Sequence, residues 1–149
     1  MNNLTRVILL GLGAVIVVIA LITVGAILLE TNPPVQQEPN WDSPQTRALA
    51  QRACFDCHSN ETVWPLYSKL PFSSWLVVFD TLRGRRNLNF SEWSSASMRS
   101  RERNPAGEIT RTIQNGSMPP SYYTMLHPTA VLSAQEKQQL ILGLQNSLK

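Results

Sequence analysis

The residues with the most specific chemistry lie together at positions 54–58, which read C-F-D-C-H. The spacing C-x-x-C-H is typical of covalent haem attachment, in which two thiols add to the two vinyl groups of haem and the adjacent histidine reaches the iron. The chain contains no other cysteine. The motif therefore predicts one haem c, attached through Cys54 and Cys57, with His58 as an axial ligand of the iron.

Three other uses of the two thiols fit this sequence less well. A dithiol redox site is expected after a strand, and no strand pattern precedes Cys54. A zinc site needs four ligands, and only Cys54, Cys57, His58 and the distant His127 are available. A disulfide across two intervening residues would be strained and would close almost no loop.

The second axial ligand of the iron is open at this stage. Met118 is the leading candidate, because it lies in the segment G-S-M-P-P at 116–120 and prolines can stiffen a loop that holds a thioether against iron. His127 is the competitor, and Met98 and Met125 are lesser options. An open sixth position, with Met118 only packing beside the ring, is the remaining alternative.

The N-terminal region predicts a membrane anchor. Residues 7–29 contain no charged side chain and would span about 35 Å as a helix, against about 30 Å for the hydrocarbon layer. A cleaved signal peptide is the alternative, and Val24-Gly25-Ala26 offers a small-residue cleavage pattern. Arg6 before the segment favours a short cytoplasmic N-terminus, and haem attachment places the remaining chain on the periplasmic or outer side of a prokaryotic inner or plasma membrane.

The rest of the chain divides by composition. We expect an anchor at 1–30, a stiff, proline-rich linker at 31–42 and a haem-binding domain at 43–149. Four helices are expected in that domain, and no alternating strand pattern is present. The first begins at Ser43-Pro44 and runs to Cys54. The second covers 72–83, with Gly84 as the stop, and the third runs from Asn104-Pro105 to Asn115-Gly116. The fourth follows a capping box at Ser133 and Glu136. The fold class is therefore all-α, a small helical domain whose long connections are expected to wrap a bound group, preceded by one transmembrane helix.

Several longer stretches resemble a known family. They read C-F-D-C-H-S-N-E-T-V-W-P-L-Y-S at 54–68, P-F-S-S-W at 71–75, G-R-R-N-L-N-F-S-E-W at 84–93, G-S-M-P-P at 116–120 and H-P-T-A-V-L-S-A-Q-E at 127–136. Together they are similar to the small haem-binding domains related to cytochrome c, which are usually membrane-anchored. The resemblance implies a c-type monohaem fold with Cys54 and Cys57 as attachment sites, His58 as proximal ligand and Met118 as distal ligand.

Aromatic and basic residues supply candidates for the haem pocket. The aromatic candidates are Trp64, Tyr67, Trp75, Phe90 and Trp93, which could instead fill an ordinary helical core. One arginine of a basic cluster is expected to meet a haem propionate, and Arg86 is chosen for this role. The cluster comprises Arg83, Arg85, Arg86, Arg99, Arg101 and Arg103.

The sequence thus predicts a membrane-anchored monohaem cytochrome that carries one electron at a time, and not an enzyme. Its expected partners are the membrane and redox proteins or a larger respiratory or photosynthetic complex. The net charge of +3 comes with no nucleic-acid readout motif, so no nucleic acid is expected. Two alternatives stay open: a sensor or peroxidase-like enzyme with an open sixth position, and a structural subunit that packs through a small-residue stripe at Ala20, Thr23 and Ala26.

Overall fold

The computed structural model describes residues 2–93 and 105–148, and this part of the chain is all-helical, as the sequence predicts. An isolated parallel bridge between Gln37 and Glu92 is the one β-type pairing among these residues. The α-helices described are α1 (Asn3–Leu28), α2 (Pro44–Ala53), α3 (Phe55–His58), α4 (Ser73–Asn87), α5 (Pro105–Gln114), α6 (Ser121–Leu126) and α7 (Ala134–Ser147). Short 3₁₀ turns lie at Leu66–Lys69 (η1) and Pro128–Ala130 (η2). The chain divides into two compact units, Met1–Thr31 with Val63–Leu82, and Asn32–Thr62 with Arg83–Lys149.

The first unit is built around α1, which is long and apolar enough to cross a membrane. The Asn2 side chain caps its start by accepting a hydrogen bond from the Thr5 N–H at 2.9 Å. At its other end, Glu30 forms an ion pair with Lys69 of η1. Thr23 and Ala26, two members of the small-residue stripe, are buried within the chain.

The second unit packs α7 against α2 and α5. Gly143 permits the α2–α7 approach, because a Cβ at this position would lie 2.0 Å from the Thr46 hydroxyl oxygen. The buried core joins these helices to α3 and to the loops around Phe90 and Leu132. Its buried members are Leu49, Ala50, Ala53, Phe55, Phe90, Ile113, Leu132, Leu140, Ile141 and Leu144.

The helix expected at 72–83 is longer than predicted, and the expectation that Gly84 ends it is wrong. α4 begins at Ser73, after Phe72 in a left-handed conformation, and continues through Gly84 to Asn87. Gly84 is needed for packing, since a side chain there would collide with another backbone segment. The other three helix starts are confirmed, including the serine cap of α2 and the complete capping box of α7.

The segment expected to be a stiff, proline-rich linker makes specific contacts within the second unit. Gln36 and Gln37 each donate a backbone hydrogen bond to the Ser91 carbonyl, at 2.9 and 3.1 Å. Trp41 packs on the core, 5.4 Å from Phe90 between ring centroids. Pro39 is buried and Trp41 is partly buried, whereas Val35 stays exposed. The segment from Asn32 onward belongs to the second unit.

We expect the capping box of α7 to give the fold a measurable acid sensitivity. Three groups form hydrogen bonds with Glu136 and lower its pKa to about 2: the backbone N–H of Ser133, the Arg52 guanidinium and the Ser133 hydroxyl. The folded state binds the Glu136 proton more weakly than the unfolded state does. The ionised Glu136 carboxylate therefore stabilises the fold above the ordinary carboxyl pKa, near 4.5, and this stabilisation is lost as the pH falls towards 2.

Thermal unfolding of Glu136→Gln and of the unaltered protein between pH 6 and pH 2 checks this. The variant should unfold at a lower temperature at pH 6, and the two midpoints should converge as the pH falls. Glu108→Gln is the matched control, because Glu108 also pairs with an arginine, Arg111, but completes no capping box. A difference between Glu136→Gln and the unaltered protein that stays constant down to pH 2 would contradict the assignment.

Candidate functional site

The C-x-x-C-H residues form a single helical turn directly after α2. Cys54 connects the two helices, and its carbonyl accepts hydrogen bonds from the N–H groups of Cys57 and His58, at 3.2 and 2.9 Å. Neither cysteine forms a disulfide, and both are partly buried. Burial, with a smaller contribution from Cys57, raises the pKa of Cys54 to about 12. This thiol therefore lacks the lowered pKa that a dithiol redox centre uses to attack disulfides.

The imidazole of His58 is oriented by a backbone carbonyl. Its Nδ1 lies 3.1 Å from the carbonyl oxygen of Leu88, which follows α4. A carbonyl can only accept, so Nδ1 carries the proton and Nε2 keeps its lone pair for a metal. Burial lowers the pKa of His58, which favours the neutral form that can bind iron.

Gly84 lets α4 lie directly against the C-x-x-C-H turn. A Cβ on this residue would stand 2.3 Å from the Cys57 carbonyl oxygen and 2.9 Å from its carbonyl carbon. Leu88, whose carbonyl orients His58, donates its N–H to Gly84 at 2.8 Å. The close approach and the histidine orientation are therefore two parts of one helix-to-turn contact.

The chain on either side of the turn is also fixed by hydrogen bonds. Phe90 donates its backbone N–H to the His58 carbonyl at 2.8 Å, and Ser91 accepts from the Asn60 N–H at 2.9 Å. Arg85 donates to the Ser59 carbonyl at 2.7 Å and to the Thr62 hydroxyl at 2.9 Å. Arg85, which the sequence did not single out, is thus the arginine that holds the segment after His58, whereas Arg86 is exposed.

The donor set of this turn fits a haem. Two cysteines on one helical turn, neither in a disulfide, match the two vinyl groups, and the following imidazole presents Nε2 because Nδ1 is occupied. Among residues 2–93 and 105–148, no three side chains of His, Cys, Asp or Glu are grouped so as to hold a metal ion by themselves.

Met118 lies in the connection between α5 and α6. Its N–H donates to the Thr112 carbonyl at 3.1 Å, so the last turn of α5 fixes its backbone. It follows Gly116, at a φ of 74°, and precedes a cis peptide bond to Pro119. The side chain is 40% exposed and is available to a ligand. Met98 lies outside the described residues, and Met125 is exposed on α6.

A chain of three side chains connects α6 to the C-x-x-C-H turn, and sequence reasoning missed two of them. The Tyr123 hydroxyl donates to the Asp56 carboxylate, between the two cysteines, at 2.7 Å. His127 stacks on Tyr123 with ring centroids 4.2 Å apart, and its Nδ1 lies 3.1 Å from the Tyr123 carbonyl oxygen. His127 thus has the same carbonyl-directed orientation as His58. The one sequence signal was Asp56 inside the motif, a polar residue that needs a partner when partly buried.

The aromatic pocket candidates divide between the two units. Phe90 stacks with Phe55 at 5.6 Å and with Trp93 at 6.1 Å in the core beside the C-x-x-C-H turn. The other three, Trp64, Tyr67 and Trp75, belong to the first unit. Arg99, Arg101 and Arg103 of the predicted basic cluster lie outside the described residues. A pocket role for these aromatic side chains and for Arg86 stays a prediction.

Comparison with protein families gives the turn its context. Residues 14–146 match the model of a haem-binding domain. The chain belongs to the haem-binding domain family. The domain contains the C-x-x-C-H turn, the α4 contact and the α5–α6 connection that carries Met118, so it is a haem protein whose candidate ligands all lie within the matched region.

A curated relative adds a second likeness. The chain is 24% identical over 95 residues to a cytochrome c peroxidase of Escherichia coli (strain K12), a match that covers 62% of this chain. The chain spans only 20% of the length of that relative. No solved structure matches.

We expect the Tyr123–Asp56 hydrogen bond to stabilise the packing of α6 on the turn. Tyr123→Phe should lower the free energy of unfolding by about 1.5 kcal/mol, the smaller end of the range for a bond to a charged group, because the site is partly exposed. Asp56→Asn tests the other partner. In a double-mutant cycle by denaturant unfolding, the two losses should be less than additive, whereas full additivity would show that the two side chains do not interact.

Proposed function

We propose that this protein is a membrane-anchored, monohaem c-type cytochrome that transfers one electron at a time. The observation that carries the proposal is the orientation of His58, with Nδ1 on the Leu88 carbonyl and the lone pair therefore on Nε2, on a turn that also carries two cysteines outside any disulfide. When bound, the haem iron supplies the one-electron chemistry. Cys54 and Cys57 would hold it through thioether bonds, and the core around Phe90 would limit the access of water to the turn.

The distal ligand in this proposal is Met118. Its backbone is fixed by Thr112, its side chain is not enclosed by the core, and thioether–imidazole ligation raises the reduction potential of a haem. A closed sixth position suits an electron carrier, because it excludes exchangeable ligands. His127 is the second choice, since its ring is oriented by a carbonyl as that of His58 is.

The location follows from α1. This helix has the length and composition of a membrane span, and haem attachment to C-x-x-C-H takes place outside the cytoplasm. We therefore place the second unit on the periplasmic or outer face of an inner or plasma membrane. Anchoring there keeps the haem at a high effective concentration near membrane redox proteins, which are its proposed partners.

Optical spectra of the purified protein test ligation and function together. We expect a c-type spectrum on reduction, haem that stays with the polypeptide in denaturant and acid, a far-red sulfur–iron band in the oxidised protein and no response to carbon monoxide. Met118→Ala should abolish the far-red band and make the reduced protein react with carbon monoxide.

Two matched variants sharpen the result. Met125→Ala removes an exposed methionine of α6 and should leave the spectrum unchanged. His127→Ala should also keep the far-red band. The distal ligand would instead be His127 if two results were found together. The unaltered protein would lack the far-red band, and only His127→Ala would react with carbon monoxide. A haem lost entirely on denaturation would contradict covalent attachment.

A peroxidase-like activity is the second candidate, and one finding favours it. The relative matched over 95 residues is a cytochrome c peroxidase, although this chain spans 20% of its length. Such an activity requires an exchangeable sixth position. Prompt carbon monoxide binding by the unaltered, reduced protein, together with consumption of hydrogen peroxide, would replace the electron-carrier proposal by this one.

A further inference from the structure

The first unit exposes an apolar surface that is separate from the haem site. Residues 63–79 contain a single charged side chain, Lys69, and many of their large apolar side chains face outward. Leu66 and Phe72 are the most exposed, at 87% and 79%. The exposed apolar residues of this surface are Val63, Leu66, Leu70, Phe72, Trp75, Leu76 and Phe79. An exposed patch of this extent marks an interaction surface.

Part of this surface joins α1 in an apolar groove of about 380 Å³. Ile19, Ile22 and Thr23 of α1 form one wall. Phe72, Trp75 and Leu76, from the start of α4, form the other. The Thr23 hydroxyl donates a hydrogen bond to the Ile19 carbonyl at 2.9 Å, so its polar atom is satisfied within α1 and its methyl group is left for the groove. The groove therefore suits a hydrocarbon chain and offers nothing to a polar headgroup.

The position of the groove along α1 indicates what covers it. Ile19 lies about 14 Å along the helix axis from Leu28, and one leaflet of hydrocarbon is about 15 Å thick. If α1 spans the membrane, the groove and the start of α4 lie at the depth of the lipid chains. The Glu30–Lys69 ion pair lies beyond the end of α1, where the headgroups begin; the Lys69 side chain is exposed there, whereas that of Glu30 is enclosed by the protein.

The residue types fit the same location. Tryptophan and tyrosine concentrate at membrane interfaces, and this segment carries Trp64, Tyr67 and Trp75. Trp75 stacks on Phe79 at 5.5 Å, which extends the aromatic surface along α4. Phe72, in the left-handed region with a φ of 72°, is held outward by a backbone conformation that bulky residues avoid.

We infer that residues 66–79 are embedded in the outer leaflet beside α1, and that the groove between α1 and α4 takes a phospholipid acyl chain. The inference rests on the proposed membrane anchoring by α1. It adds a second membrane contact, which is made by the same part of the chain that begins α4.

Photo-cross-linking of the full chain in vesicles tests this. A benzophenone amino acid replaces Phe72 or Leu76 in separate proteins, which are reconstituted in phosphatidylethanolamine–phosphatidylglycerol vesicles and irradiated. The haem spectrum of each protein reports folding. Intact mass should show a phospholipid adduct at both positions, several-fold above that of a protein labelled at Leu142, an equally exposed leucine on α7.

A label at Ile16 in the middle of α1 separates this inference from the proposed anchoring. Adducts at Ile16 but not at Phe72 or Leu76 would overturn the inference and leave the anchor standing. Adducts at Phe72 and Leu76 without one at Ile16 would support the surface contact and contradict the transmembrane role of α1. Cross-links from Phe72 and Leu76 to a second copy of the chain, or equal lipid labelling at Leu142, would overturn the inference.

Discussion

Gly84→Ala should lower both the stability of the protein and the amount of haem that it retains. The added methyl group would stand 2.3 Å from the Cys57 carbonyl oxygen, far inside van der Waals contact. Alanine improves the helical propensity of α4 by about 1 kcal/mol, whereas overpacking costs about 1–3 kcal/mol and more where the obstacle is backbone. The cost of overpacking exceeds the gain in helical propensity, and the collision occurs at the turn that carries both cysteines and His58.

Gly143→Ala provides the matched control. Its Cβ would collide with the side chain of Thr46 in the α2–α7 contact, away from the C-x-x-C-H turn. Both variants should unfold more easily, but only Gly84→Ala should have a haem spectrum that indicates altered ligation by His58. Thr46→Ala should partly rescue Gly143→Ala, since it removes the two nearest atoms. Gly84→Ala would refute the packing assignment if it matched the unaltered protein in stability, haem content and spectrum.

Phe90→Ala should be the most destabilising substitution in the core of the second unit. Phe90 is 1% exposed and packs against the rings of Trp41, Phe55 and Trp93. Removing a fully buried phenylalanine ring typically costs about 3–5 kcal/mol, since the transfer free energy and a cavity term add. Its backbone N–H would still bond the His58 carbonyl, so the loss reports packing behind the turn and not the hydrogen bond.

Denaturant unfolding of the protein in mild detergent measures this loss. Phe79→Ala is the control, because Phe79 is the same residue type but half-exposed on α4. It should cost well under half as much as Phe90→Ala. Equal losses for the two variants would mean that the aromatic stack around Phe90 is not the core of this unit. Phe90→Leu, which retains most of the volume, should recover most of the stability.

The sequence predicted the local elements well because their signals are local. The serine caps of α2 and α7 act on N–H groups two or three residues away, and both structures are present. The C-x-x-C-H motif is likewise defined by five consecutive residues, and the match to a haem-binding domain family supports the prediction of haem. The apolar composition of α1 was sufficient to predict a helix long enough to cross a membrane.

Gly84 shows where local reasoning fails. In the sequence a glycine after a helical pattern predicts a helix end, because it readily adopts a left-handed conformation. In the structure it is a point of close contact with Cys57, which is remote in the sequence. The contacts of the segment at 31–42 could not be predicted either, since its prolines act locally but the contacts of Trp41 and Gln37 join it to residues remote in the sequence.

The sequence by itself determined the cofactor chemistry, the helical class and the apolar N-terminal helix, because each depends on residue type and short-range spacing. Only the tertiary structure decided which groups support the site: the Leu88 carbonyl on His58, the Arg85 contacts with the segment after it, and the Tyr123–Asp56 bond. These pairs are separated by more than 20 residues. Their choice follows from how α4 and α6 pack against one turn, and no local propensity encodes that packing.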